Sequence, residues 1–211
     1  MHISLLKLSL LLFAVLFIAY VVWDGVISQV AMPHYNVKKT LNDRVEIRTY
    51  QPLVLAETSY AGGRATAVGP AFRRLAAFIN QHDIPMTAPV LQQQMHVMTE
   101  LESWKLAFVM PEDMALSAMP KPQDKAIKLR SWSVGDVAVI RFSGRLTQDA
   151  FQRYAALLRQ ALAASNLDYD AGPILAQYDP PWRLPFFRRN EIWFLLSTQH
   201  VSPQRQTTPE V

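Results

Sequence analysis

The stretch VEIRTYQPLVLAETSY at residues 45–60 decides the fold, because residues 128–142, KLRSWSVGDVAVIRF, repeat its pattern. In both copies apolar and polar side chains alternate over several residues, as they do along a half-buried β-strand. The copies align at a constant offset of 82 residues, and three pairs illustrate the match: Arg48 with Arg130, Tyr50 with Trp132, and Gly62 with Gly144. The sequence therefore contains one structural unit written twice.

An amphipathic helix is predicted after each copy. After the first copy, apolar side chains recur at helical spacing, at Val68, Phe72, Leu75 and Ile79. After the second copy, Thr147 is a candidate N-cap. A further strand follows each helix, at residues 104–110 and 192–196. The predicted unit is therefore strand–strand–helix–strand, written twice. It predicts an α+β domain whose two related halves form either one curved sheet or a distorted barrel, with a cleft between strands and helices.

Residues 1–33 are the most apolar part of the chain. No charged residue occurs from Leu8 to Val22, and Lys7 precedes this run. Because about 20 apolar residues span a bilayer, the segment predicts one transmembrane helix ahead of the domain, with a cleaved signal peptide as the alternative. Lys7 favours a cytoplasmic amino terminus, whereas the cations that follow the segment, Lys38, Lys39, Arg44 and Arg48, favour the opposite orientation. Of the two, we expect a single-pass membrane protein with its domain on the non-cytoplasmic side.

The rest of the chain divides into one folded domain at 34–200 and a polar, flexible tail at 201–211. The chain of 211 residues has no cysteine, which excludes disulfides, thiolate metal sites and a cysteine nucleophile. Its formal net charge of +4 is too small, without clustering, to indicate nucleic acid as a partner.

Catalytic motifs are scarce in this sequence. It contains no HExxH, G-x-S-x-G or phosphate-binding glycine pattern, which favours a binding role over an enzyme. One enzyme hypothesis remains, a small-substrate hydrolase that uses Glu57. A carboxylate on a barrel-lining strand is costly to bury unless it has a task.

Two connecting segments are unusual in composition. Residues 84–90, IPMTAPV, place Met86 and Thr87 between prolines, either as a cover on the core or as a stiff wall of an apolar pocket. Residues 178–194, YDPPWRLPFFRRNEIWF, combine aromatic side chains with three arginines. This second segment is either a C-terminal wrap or a surface for a flat, partly anionic molecule.

These segments resemble the SOUL haem-binding protein family. IPMTAPV after a helix, FVMP at 108–111 and YDPP…RRNEIWF occur in the family's order, and VEIRTY at 45–50 resembles its opening strand. The resemblance covers residues 35–196. It implies a distorted β-barrel built from two βαββ-like repeats with two long helices. It also implies the binding of haem or a related tetrapyrrole, generally without catalysis.

The resemblance also implies a set of binding residues. Arg183 matches the position at which haem-binding relatives carry a lysine proposed to meet a propionate, and Trp182 lies beside it. The first long helix forms a wall in those relatives. It would contribute Phe72 or, from its opposite face, Arg73 and Arg74.

The remaining candidates are Met86 and His82. His82 is the best-placed histidine for an axial iron ligand, and its alternative role is a helix-terminal residue that interacts with the helix dipole. Another amphipathic small molecule, a lipid or a protein partner is the alternative occupant of the cleft.

Overall fold

The structure is a computed structural model that describes residues 5–27, 30–95, 102–170 and 172–197. Within the first of these ranges, side chains are described at 7–17 and 19. The predicted tail at 201–211 lies outside the described residues.

The described residues form an α+β domain around one antiparallel sheet, which confirms the predicted class. The sheet curls into a half-barrel instead of closing, with β1 and β6 at its edges in the order β1-β2-β7-β9-β8-β4-β5-β3-β6. The strands are β1 Tyr35–Asn42, β2 Val45–Tyr50, β3 Leu53–Ala61, β4 Val90–Met95, β5 Ser103–Val109, β6 Lys128–Trp132, β7 Gly135–Phe142, β8 Ile174–Gln177 and β9 Asn190–Leu195. The helices are α1 Leu5–Ile27, α2 Arg64–Gln81 and α3 Gln148–Ala164.

The strand order reflects the sequence repeat. With β1 left out, the strand order is symmetric about its centre. Exchanging β2, β3, β4 and β5 with their counterparts β6, β7, β8 and β9 gives the same order read backwards. An approximate two-fold axis therefore passes between β8 and β4. Backbone angles repeat as well, since Gly62 and Gly144 have φ of 106° and 105° ahead of the two helices. Asp83 and Asn166, just beyond the helix ends, have φ of 51° and 52°.

Both long helices pack on one face of the sheet. Helix α2 lies against β3 and β5, and α3 lies against β7 and β9. Leu75 of α2 and Leu158 of α3 are fully buried in these contacts. The opposite face holds a second apolar cluster that includes Val137 and Trp193. We call this opposite surface the inner face.

The apolar stripe predicted for α2 is partly wrong. The buried side chains are Ala67, Ala71, Leu75, Phe78 and Ile79. Phe72 is instead 40% exposed at the margin of the interface, where its ring meets that of Phe108. Alanines line the contact because their small side chains let the helix approach the sheet closely.

Each repeat contains one strand more than the sequence predicts. Strands β4 and β8 each lie between a long helix and the last strand of the half, and β1 precedes both halves. The repeat is therefore strand–strand–helix–strand–strand. The sequences of β4 and β8, VLQQQM and ILAQ, are short and partly polar, so they lack the alternation that identifies a strand.

A helix, α1, forms within the predicted N-terminal segment. Among the described residues, however, no helix combines the length and the apolar character that crossing a membrane requires. The predicted transmembrane helix is therefore not confirmed.

Candidate functional site

A cleft of about 440 Å³ runs along α2. We call it the α2 cleft. Its second wall is the segment that precedes β6. It is lined by Tyr60, Pro70, Arg73, Arg74, Ala77, Phe78, Gln81, Gln123, Asp124 and Ile127. Its volume lies within the range of about 300–1,000 Å³ that small-molecule sites occupy.

Arg74 fixes the two walls of the α2 cleft to each other. Its Nε atom is 2.7 Å from a carboxylate oxygen of Asp124, and its guanidinium group lies 4.5 Å from the ring centroid of Tyr60. The backbone N–H of Ala126 and the charge of Arg74 hold the pKa of Asp124 below its usual value. Arg74 is therefore a structural cation whose charge is already compensated.

Arg73 differs from its neighbour in having no counter-charge. It lines the α2 cleft and is exposed. Within the described part of the chain, no hydrogen-bond or ion-pair partner of Arg73 occurs. Its guanidinium group is thus available to an anionic ligand in the cleft.

His82 follows the last residue of α2 and packs under it. Its ring meets that of Phe78 with centroids 5.2 Å apart. Its Nε2 atom is buried and has no hydrogen-bond partner among the described residues. Because that nitrogen has almost no accessible surface, it contacts a ligand in the open cleft only after the ring rotates.

The segment at 84–90 covers the core. Met86 packs against the apolar cluster beneath α2, as the simpler interpretation expects. The Thr87 hydroxyl donates a short hydrogen bond to the carbonyl oxygen of Val109. The N–H of Ala88 donates to the carbonyl oxygen of Ala31 at 2.9 Å. This segment therefore holds the chain that leads from α1 into the domain.

Residues 179–189, the aromatic loop, form a separate surface. Trp182 is 78% exposed, whereas Arg183 is partly buried and pairs with Asp179. The residues that line the α2 cleft include neither Trp182 nor Arg183. The structure thus brings Arg73 and Arg74 together in one cleft, and it leaves the other predicted candidates outside the cleft lining.

A buried ion cluster lies on the inner face, and the sequence analysis did not find it. Its centre is Glu191, which is fully buried on β9. The two carboxylate oxygens accept six hydrogen bonds: from Arg48 at 3.0 and 3.1 Å, Arg189 at 2.8 and 2.9 Å, Tyr178 at 2.9 Å and Trp193 at 2.8 Å. The signal available in the sequence is a carboxylate directly before the apolar run of the strand NEIWFL.

The electrostatics of this cluster follow from burial and pairing. Burial opposes the charge of Arg48, but the carboxylate of Glu191 and the hydrogen bonds to Tyr50 and Glu46 together outweigh that effect, so the pKa of Arg48 is raised. Burial raises the pKa of Tyr50 to about 12, and it also raises the pKa of Tyr178. The charged side chains of the cluster therefore occupy this part of the inner face.

Glu57 occupies a second, smaller ion cluster on the inner face. One carboxylate oxygen is 2.9 Å from Nε of Arg130, and the other is 3.8 Å from Nζ of Lys105. These two cations compensate the charge of the buried carboxylate. Within the described residues, no group of three or more histidine, aspartate or glutamate side chains could hold a metal ion.

Comparison with known proteins identifies one family and several related folds. The family model of the SOUL heme-binding protein matches residues 30–195. A crystal structure of a hydrolase from Listeria innocua shares 13% identity and a TM-score of 0.53, covering 73% of this chain and 92% of that one. The crystal structure of the EcmrR C-terminal domain shares 10% identity and a TM-score of 0.57, covering 73% and 97%. At these identities the likeness establishes the fold alone. No curated protein matches the chain.

Proposed function

This chain belongs to the SOUL heme-binding protein family, and from that premise we propose that it binds haem or a related tetrapyrrole in the α2 cleft without catalysing a reaction. One observation carries the choice of cleft. Arg73 is a cation without a counter-charge at a cleft of about 440 Å³ that also has apolar walls. A tetrapyrrole is a flat apolar plate with carboxylates at its rim, so it matches such a surface.

The side chains of the α2 cleft suit the ring and the carboxylates of this ligand. Pro70, Phe78 and Ile127 would contact the plate, and Arg73 would hold a propionate. Arg183, the family's propionate position, is less suited to that role because Asp179 already pairs with it. Bound haem would supply an iron that takes axial ligands. His82 would reach such an iron only after its ring turns out of the core.

The test is an absorbance titration of the full chain in detergent with haem. We expect a Soret shift that saturates, and we expect Arg73→Glu to weaken binding at least tenfold, which corresponds to about 1.4 kcal/mol. Arg153→Glu is the matched control, since it makes the same charge change at an exposed position of α3. Equal affinities for the two variants would remove the α2 cleft from the proposal. Saturable binding of an apolar dye that haem does not displace would favour another amphipathic ligand.

We also propose that residues 1–33 attach the protein to a membrane. The uncharged run from Leu8 to Val22 in the sequence supports this proposal. Lys7 supports a cytoplasmic amino terminus, with the domain on the non-cytoplasmic side. Alkaline carbonate should leave the protein in the membrane fraction, and external protease should reach the domain. Release of the protein by carbonate would contradict the attachment.

A further inference from the structure

The aromatic loop displays apolar surface that the proposed haem site does not use. Trp182, Phe186 and Phe187 are 78%, 60% and 39% exposed, and the last two rings lie 4.4 Å apart. Large apolar side chains that are exposed together commonly mark an interaction surface. The exposed rings therefore predict that the aromatic loop contacts another apolar surface.

Polar contacts within the loop hold these rings in place. Asp179 accepts short hydrogen bonds from Arg183 and from the backbone N–H of Arg189. Arg188 donates from Nε to the carbonyl oxygen of Arg183 at 2.7 Å, and the Gly144 N–H donates to that of Pro185 at 2.8 Å. These hydrogen bonds fix the conformation of the loop that carries the exposed rings.

The aromatic loop lies beside the chain that leads to α1. Nη1 of Arg189 is 3.7 Å from the sulfur of Met32. Helix α1 ends at Ile27, five residues before Met32. A fully extended chain of that length spans about 18 Å at most. If residues 1–33 attach to a surface, the aromatic loop consequently lies close to that surface.

The chemistry of the loop matches the boundary between lipid headgroups and acyl chains. Asp179 and Glu191 compensate the charges of Arg183 and Arg189. Arg188 of the loop has no carboxylate partner among the described residues, and neither does Arg145, which is exposed next to Gly144, a residue that the loop contacts. Tryptophan and phenylalanine with neighbouring arginines are typical of segments that lie in this boundary, where the cations meet anionic headgroups.

We propose that the aromatic loop inserts Trp182 and Phe186 into the surface of the membrane to which residues 1–33 attach. This inference rests on the proposed membrane attachment and is independent of haem binding. It gives the domain a fixed orientation, with the aromatic loop facing the bilayer.

Because the chain contains no cysteine, a single introduced cysteine can be labelled selectively. Phe186→Cys in the full chain is labelled with a solvatochromic fluorophore and reconstituted into vesicles of equimolar phosphatidylcholine and phosphatidylglycerol. Leu157→Cys, an exposed apolar position on α3, is the matched control. We expect a blue shift and quenching by nitroxide-labelled lipid at position 186, and neither effect at position 157.

The outcomes separate the loop from the attachment. If the protein floats with the vesicles but position 186 behaves like position 157, the loop inference is overturned and the attachment stands. If the protein does not float, both are overturned, while a Soret shift still reports on haem binding. A blue shift that grows with protein concentration in detergent alone would identify a second copy of the chain as the occupant and would overturn the inference.

Discussion

Glu191→Gln should destabilise the protein far more than the same change at Glu57. Gln has nearly the shape of Glu, so the substitution removes the charge while leaving the packing in place. Glu191 is fully buried and accepts six hydrogen bonds, four of them from two arginines. Without its charge, Arg48 keeps only the partly exposed Glu46 as a counter-ion.

The magnitude follows from burial. Breaking a buried ion pair by removing one partner costs about 3–5 kcal/mol, because the remaining charge is left uncompensated. At Glu57 the main partner, Arg130, is 39% exposed, and such a pair contributes about 1 kcal/mol or less. Urea unfolding of the full chain in detergent, followed by tryptophan fluorescence, measures both losses. Equal losses, or a loss at Glu191 below about 1 kcal/mol, would refute the reasoning.

Three further predictions concern stability. Folded Tyr50 keeps its proton up to a pKa of about 12, whereas the unfolded value is 10.0, so stability should fall by about 2–3 kcal/mol as the pH rises between these values. Urea midpoints measured across this range should fall less in Tyr50→Phe, and an unchanged slope would contradict the assignment. Gly144→Ala should cost about 1–2 kcal/mol in urea unfolding from its φ of 105° alone, because an added Cβ meets no atom within 4 Å. At Gly62 the same change also brings a Cβ to 3.0 Å from Thr66 Oγ1, so a smaller loss there would be inconsistent with the structure. Thr147→Ala should cost about 1 kcal/mol of unfolding free energy, since the Thr147 hydroxyl accepts a hydrogen bond from the Ala150 N–H at the start of α3; no measurable loss would argue against this cap.

Much of the fold could be predicted from the sequence because the two halves share local signals. Alternation identifies β2, β3 and β7, and Thr147 begins the second helix as its cap residue. Glutamine-rich β4 could not be recognised, because it buries a polar side chain that pairs with a neighbouring strand. Gln92, for example, is buried and donates to Gln177 at 3.1 Å. Because such a pairing depends on tertiary contacts, no local sequence pattern predicts it.

The candidate site was predictable only in part. Arg73 and Arg74 are adjacent in the sequence, yet only the contact with Asp124, fifty residues away, makes one of them structural and leaves the other for a ligand. Glu191 lies 143 residues from Arg48 in the sequence. The buried ion cluster can therefore be recognised only once the register of the strands is known. Phe72 is exposed because the buried face of α2 runs through Ala71 and Leu75 instead.

Blocking the α2 cleft tests the central claim most directly. Ala77 is exposed in the cleft wall, and Ala77→Cys would be the only thiol in the chain. After reaction with a bulky maleimide, this variant should lose the haem-induced Soret shift, while Leu157→Cys carrying the same adduct on α3 should keep it. Undiminished haem binding by the blocked Ala77→Cys variant would contradict the account.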